Sequence, residues 1–383
     1  MKILFLQKVD NARGGIATVN LKLMSYFSAN GNEVEVLSIR HGDSWDIIDY
    51  PKTVKTHLIN ERDVWDCPRL GRLVGYIKKI DIVSCLKLII ERLKYDKKMQ
   101  QDYKQCQLLI EEIKPDIIIN SHYEVLEGIS EDYLKKTIMH FHTSFDQVLE
   151  NRSYQKFFAK YKDKIKSFVW LSKKTKEEAE KFGLKNSTYI YNPISFKEED
   201  CADMENKKMI FLGRLSAEKR VHLAIEYFKE IIQDERYRDW TFEIYGDGPL
   251  RENILKEIGN NSQIIYKGVT NNVKQVLLNG SVLILTSEFE GMPLVVLEAN
   301  ECGVPAIIYD FGESSKEVVK NGSTGIIVTQ DDRETFINSL ERVMCDLELR
   351  KKMSVNAKEF AQNFSMETIG KKWQSLFQVV EKE

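Results

Sequence analysis

The chain has no stretch approaching the ~18 uninterrupted apolar residues a membrane-crossing helix needs, so any contact with a bilayer is expected to be peripheral. Cysteine is sparse and scattered. Cys67, Cys85, Cys106, Cys201, Cys302 and Cys345 form no C-x-x-C pair, which argues against a zinc ribbon or a disulfide framework and for a reducing, cytoplasmic setting. The net charge is only -2, so no global field draws the chain to nucleic acid. Two motifs are also missing: a D-x-D that would hold a divalent ion, and a G-x-G-x-x-G with a following acidic residue for a nicotinamide dinucleotide. The first residues, MKILFLQKVD, are too short in apolar run for a secretory leader and lack a small-residue cleavage site; they read as a first strand.

Hydrophobic residues make up 43% and charged residues 30%, with 18 Phe and 16 Tyr, enough apolar surface to exclude a disordered chain. At 383 residues, one core is too few, and two domains are expected. Short β-branched runs alternate with helix-period segments throughout. Strands are expected at 2–6, 33–39, 116–120, 137–142, 168–171 and 188–191, then at 209–212, 241–245, 263–266, 282–286, 306–309 and 325–328. That alternation predicts an α/β protein of two doubly wound, Rossmann-like domains facing across a cleft. The charged, aperiodic stretch 196–208 is the expected linker, dividing the chain into 1–199, 200–365 and a terminal helix, 366–383.

Candidate chemistry lies just after strands. In EFEGMPLVVLEANEC, Pro293 suits a first helical turn, which leaves Glu290 in the preceding loop and Glu298 inside an apolar helix. The helix start, Gly291, Met292, Pro293 and Leu294, offers free backbone N–H groups to a phosphate. Glu298 can lean toward hydroxyls there; the spacing equally allows a carboxylate paired with a buried cation. In GRLSAEKR, Arg214 and Lys219 suit a diphosphate, or an ordinary charged loop. The turns GDGPL and KGVTNN would let backbone approach a ligand, with Lys267 to Val269 as candidates for a nucleobase contact. Gly14 and Gly15 open the first helix. His140 and His142 end a strand and share a face, better suited to hydrogen bonding than to metal because no carboxylate or cysteine completes a ligand set.

These pieces resemble glycosyltransferase family four, the retaining GT-B family that includes capsule, exopolysaccharide and teichoic-acid enzymes. The resemblance spans nearly the whole chain: GGIATVNLKLMSYFSANGNEVEVLS, VWLSKKTKEEAEKFGLKNSTYIYNPI, FLGRLSAEKRVHLAIEYF, EFEGMPLVVLEANECGVPAIIYD and FSMETIGKKWQSLFQVV, the last resembling a helix that crosses back to the first domain. It implies that Arg214 and Lys219 bind the donor diphosphate, Glu298 the ribose and Glu290 the transferred sugar, with His142 near that sugar and Gly15 in the loop that closes on the diphosphate. Two departures stand out. Arg220 replaces a frequent glycine and would add a cation near the phosphates, and Gly312-Glu313 replaces a Gly-Gly pair, which puts sugar contacts in that loop in question.

The expected function is therefore transfer of a hexose, with retention, from a nucleotide-sugar, UDP-linked by expectation, to a cell-surface glycan or lipid-linked acceptor, without metal or other cofactor. A nucleotide-sugar epimerase or hydrolase on the same fold, or a non-enzymatic nucleotide-sugar-binding protein, are the alternatives. One further feature is local. Residues 69–98 carry nine Lys/Arg against three Asp/Glu, with Leu70, Leu73, Val74 and Ile77 at helical spacing, and read as a basic amphipathic helix. Its basic face suits an anionic membrane surface, or merely solvent over a packed apolar side.

Overall fold

The structure, a computed structural model, describes residues 1–10, 14–41, 50–60 and 82–382. Two sheets organise it. The first has seven strands: β1 (Lys2–Asp10), β2 (Glu33–His41), β3 (Lys55–Asn60), β4 (Ile117–Asn120), β5 (Thr137–His140), β6 (Ser167–Trp170) and β7 (Ser187–Tyr189). The second has six: β8 (Lys208–Leu212), β9 (Thr241–Tyr245), β10 (Ile264–Gly268), β11 (Val282–Leu285), β12 (Ala306–Tyr309) and β13 (Gly325–Val328). Their orders are β3-β2-β1-β4-β5-β6-β7 and β10-β9-β8-β11-β12-β13, parallel at every pairing.

Parallel strands covered on both faces need continuous apolar runs, and IIIN, VLIL and AIIY are buried at every residue. Each strand expected from the sequence is present to within a few residues. The patterning missed β3: KTHLIN sits at a sheet edge, its first two residues exposed and the rest half-buried, so no apolar run marks it. The strand expected over 137–142 stops at His140, leaving His142 in the following loop.

Each sheet reverses its winding once, between β1 and β4 and between β8 and β11. At such a switch the helices on either side diverge, opening a crevice at the carboxyl ends of the two strands. The loop after β8 carries Arg214 and Lys219, and the loop after β11 carries Glu290. Strand order alone therefore brings residues seventy positions apart to one crevice.

The charged stretch 196–208 is tied down. Ala202 and Met204 are buried with the second sheet's core, and the Arg350 guanidinium donates to the Met204 carbonyl oxygen at 3.1 and 3.0 Å. Helix Met366–Lys382 lies on the first sheet's side, where Ile369, Trp373 and Phe377 pack with Leu23 and Phe27 of helix Gly15–Ala29. The Phe377 and Phe27 rings are 5.0 Å apart. Truncating such a buried aromatic costs about 3–5 kcal/mol, so this helix fastens both ends of the chain to one layer. Of the basic segment, residues 69–81, with Leu70, Leu73, Val74, Ile77, Lys78 and Lys79, lie outside the described residues; the remainder begins a 32-residue helix, Ile82–Ile113.

Candidate functional site

The Arg/Lys loop is shaped by its neighbour. A Cβ on Gly246 would stand 1.8 Å from the Gly213 carbonyl oxygen, and one on Gly248 2.4 Å from that of Leu215. The glycines of GDGPL thus admit the backbone of the Arg214 loop; Leu215 N–H donates to Asp247 O at 2.9 Å across the same contact. Arg214 is held exposed, with no ion pair among the described residues. Lys219 turns inward from the short turn Ala217–Lys219 and forms a close ion pair with Glu290. Both are mostly covered, with 21% and 11% of their side chains exposed, and the Ser287 hydroxyl donates to the same Glu290 oxygen at 2.8 Å.

Arg220 corrects an expectation. It occupies the left-handed region at φ 49°, the conformation that favours glycine. Its guanidinium points away from Lys219, to the Gln330 side-chain oxygen at 3.0 Å and to Asp331. Gln330 in turn donates to the carbonyls of Ser287 and Glu288, at 3.0 and 3.3 Å. Arg220 is therefore a brace on the Glu290 loop rather than an additional phosphate ligand. At the other departure, Glu313 pairs with Lys316 at 2.6 Å.

Helix Leu294–Glu301 starts one residue later than the sequence suggested, with Pro293 at its cap. Glu298 is buried between Leu297 and Ala299, and burial pushes its carboxyl up to about 7, against the partial pull of the Ser195 hydroxyl and the Lys22 ammonium. Among the described residues it has no ion pair, so the buried-cation alternative is not what the fold builds. Glu317 is likewise raised to about 7 by burial, while accepting the Lys173 backbone N–H at 3.1 Å across the two halves.

The first sheet closes over this helix start. Gly15 lies against Leu294: a Cβ on it would stand 3.7 Å from Leu294 Cδ1. Gly291 abuts the His142 carbonyl oxygen so closely that a Cβ would be 2.6 Å away, and Asn192 N–H points at Met292 Sδ at 3.3 Å. His142, half-buried, has Nε2 3.4 Å from Ser121 Oγ. Burial first, then His140 and His122, hold its imidazole well below the usual range and hence neutral. His140 does not share this role. Its ring is buried between His142 (4.0 Å) and Trp373 (5.1 Å), and burial lowers it to about 3.

Gly15, His142, Lys219, Glu290 and Gly291 to Leu294 are thus gathered around one helix start, with Arg214 exposed on the loop that carries Lys219 and Glu298 in the helix's second turn. Lys267 and Val269 stand further out, both exposed, on a turn joined by the Gly246 N–H to Gly268 O bond of 2.8 Å to the GDGPL loop, which packs on the Arg214 loop. Sequence reasoning missed Ser287, Ser195 and Gln330, which carry no motif of their own. No three His, Cys, Asp or Glu side chains among the described residues converge as a metal-ligand set.

Two facing doubly wound sheets with this crevice define a GT-B fold. Residues 195–360 match the family described as Glycosyl transferases group 1. Among its relatives, an α-1,4-N-acetyl-D-galactosaminyltransferase of Campylobacter jejuni acting on an undecaprenol-diphosphate-linked glycan is 29% identical over 202 residues, covering 50% of this chain and 55% of that protein. The UDP-Gal:α-D-GlcNAc-diphosphoundecaprenol α-1,3-galactosyltransferase of Escherichia coli is 30% identical over 155 residues, covering 39% and 40%. The chain matches about half or less of these relatives' length. HepE of Anabaena, solved with UDP and glucose, aligns over 99% of each chain at TM-score 0.70 and 16% identity, and a TarM variant from S. aureus, solved with UDP, aligns over 98% of this chain and 100% of that one at 0.74 and 14%. At such identities these two share the fold.

Proposed function

We propose that this protein transfers a hexose from a UDP-sugar, with retention, to a cell-surface glycan or lipid-linked acceptor. The observation carrying the proposal is the Lys219–Glu290 pair at the start of helix Leu294–Glu301, with Arg214 exposed on the same loop and His142 and Gly15 opposite. The diphosphate would sit between Arg214, Lys219 and the helix N–H groups, whose dipole favours negative charge. As the bond from anomeric carbon to phosphate oxygen breaks, the two cations stabilise the charge that grows on the leaving group. The acceptor oxygen attacks the same face, and its proton passes to the departing phosphate oxygen. Glu290 holds sugar hydroxyls, Glu298 holds the ribose, and the Lys267–Val269 turn lies beside the base. Neutral His142 can donate to or accept from the sugar. No metal is assigned a role.

The relatives that act on undecaprenol-linked glycans, named above, support a lipid-linked acceptor. So does helix Ile82–Ile113. Its first turns expose Ile82, Val83, Leu86, Ile90 and Leu93, by 50% or more, beside Lys87 and Lys94, and no described residue covers them. That face suits an anionic membrane surface.

A thermal-shift panel of UDP-, GDP- and ADP-sugars, followed by product analysis with and without acceptor glycans, tests the reading. A donor at a hundred times its dissociation constant stabilises by about 2.7 kcal/mol. Binding without transfer, or product formed only with water, would overturn it.

A further inference from the structure

Beyond the residues proposed for the donor, the two halves also meet at Glu317. Its Oε1 accepts the Lys173 N–H at 3.1 Å, and its Oε2 is buried with no hydrogen-bond partner among the described residues. Each partner is placed by its own half. Helix Lys173–Lys181 follows β6 and is capped by Ser172, whose hydroxyl oxygen accepts the Thr175 N–H at 3.0 Å. That cap satisfies one of the N–H groups a helix start leaves open, and not the Lys173 N–H. The first turn carries Lys173, Lys174 and Lys176 and no acidic residue, against the preference of a helix start for negative charge. The acid comes from the other half.

Glu317 is tied to the donor side at both ends of its own short helix, Glu313–Val318. At one end the Ser314 hydroxyl donates to the Glu290 carbonyl oxygen at 3.3 Å; at the other, the Asn300 side chain of helix Leu294–Glu301 donates to the Val318 carbonyl oxygen at 2.9 Å. The Ser315 hydroxyl donates to Asp310 at 2.7 Å and holds the turn that leads in. Glu317 therefore moves with the Glu290 loop and the helix beside it. Burial lifts its carboxyl to about 7, with Glu313 adding to the rise and the Lys173 N–H, Lys320 and Tyr191 opposing it. Near neutrality both forms are populated, and in both Oε1 can accept the Lys173 N–H.

The other contacts across the crevice are less directional. Gly291 abuts the His142 carbonyl oxygen, Gly15 lies against Leu294, and the Asn192 N–H meets the Met292 sulfur, a weak acceptor. Such contacts limit approach but not sliding. A hydrogen bond loses strength steeply once its angle opens, so the Glu317 bond fixes a register that the others leave free. Resting on the glycosyltransferase reading, we infer that Glu317 is a positioning residue: docked on the start of helix Lys173–Lys181, it sets the register of the two halves at which the Glu290 loop meets His142 and the sugar is transferred.

The test removes the bond from either side. Lys173 is the first residue of its helix and follows an extended Ser172, so Lys173→Pro deletes the N–H where proline is tolerated. Lys173→Ala keeps the N–H and loses only the side chain. Hydrogen exchange of the Lys173 amide reads the contact without substrate: protection is expected to fall by about tenfold or more in Glu317→Ala and to be kept in Glu317→Gln, which retains the acceptor. Turnover is read with the UDP-sugar and acceptor that give transfer in the unaltered protein. It is expected to fall by about tenfold in Glu317→Ala and in Lys173→Pro, and no further in the double variant. Glu317→Gln and Lys173→Ala should stay near normal, with the affinity for free UDP unchanged in every variant. An amide equally protected in Glu317→Ala, losses that add in the double variant, or Lys173→Ala as slow as Lys173→Pro would overturn the inference. If the unaltered protein transferred no sugar from any UDP donor while the exchange results held, the glycosyltransferase reading would fall and the contact would stand.

Discussion

Lys219 and Glu290, 71 residues apart in sequence, meet in a close ion pair, and each belongs to a loop leaving one of the two strands at the switch point of the second sheet. The pair joins the residue proposed for the diphosphate to the one proposed for the sugar. Glu290 neutralises Lys219 in this structure; on the proposed reading, the donor's phosphate oxygens would compete for the same ammonium. The carboxylate would then be left to the Ser287 hydroxyl and the sugar.

Removing either cation aimed at the leaving group should slow the chemical step. Arg214→Ala and Lys219→Ala are each expected to lower kcat by a factor corresponding to about 3 kcal/mol. Steady-state kinetics with saturating donor measure it, and near-normal turnover in both variants would sink the assignment.

The two glutamates should separate by ligand. Glu298→Gln is expected to weaken binding of free UDP, whereas Glu290→Gln should leave UDP affinity nearly intact and impair transfer. Calorimetry with UDP, set against kcat for the same variants, distinguishes the roles; equal loss of UDP affinity would contradict the division.

Glu298 also predicts a pH dependence. Its folded value, about 7, lies above the ordinary glutamate value of about 4.5, so the native state resists ionisation that the unfolded chain accepts. Its contribution to stability is therefore fully present below about 4.5 and is lost as pH rises to about 7. At about 1.4 kcal/mol per unit, that loss is on the order of 3 kcal/mol. Glu317 changes stability in the same direction. Urea unfolding across pH 5–8 should show the decline, with a smaller slope in Glu298→Gln; identical slopes would contradict the prediction. An ionised Glu298 is the better acceptor for ribose hydroxyls, so UDP-sugar affinity should rise through the same window. A UDP-sugar has no phosphate titrating there, which keeps the result attributable to protein.

Arg220 holds a left-handed conformation at a cost of about 1–2 kcal/mol, offset by its bonds to Gln330 and Asp331. Arg220→Gly loses the bonds and the strain together and should be nearly neutral in stability. Arg220→Ala keeps the strain, loses the bonds, and should be the less stable of the two. Denaturation midpoints that reverse this order would show that the brace is not what holds the turn.

Vesicle sedimentation addresses the exposed face of helix Ile82–Ile113. Binding to anionic but not neutral vesicles is expected, weakened by salt and abolished by Lys78, Lys79 and Lys87 to Glu, since each cation near such a surface contributes about 1 kcal/mol. Indifference to those charges would return the helix to an ordinary surface element.

Short-range stereochemistry made much of this legible without coordinates. Continuous β-branched runs marked twelve of the strands, and alternation with helices implied parallel sheets, which in turn placed Arg214, Lys219 and Glu290 after strands. The edge strand Lys55–Asn60 escaped because a strand with one partner and little burial needs no apolar pattern. What the tertiary structure decided were the contacts between segments distant in sequence. The adjacency of β8 and β11 set Lys219 on Glu290, and Trp373, arriving from the chain's last helix, sealed His140 and left His142 to the crevice. The close packing of two loops claimed Gly246 and Gly248 for backbone, and Gln330 and Asp331 turned Arg220 away from Lys219. Local periodicity encodes which face of an element is apolar. Which polar groups then find one another depends on strand order and packing, and neither leaves a trace in neighbouring residues.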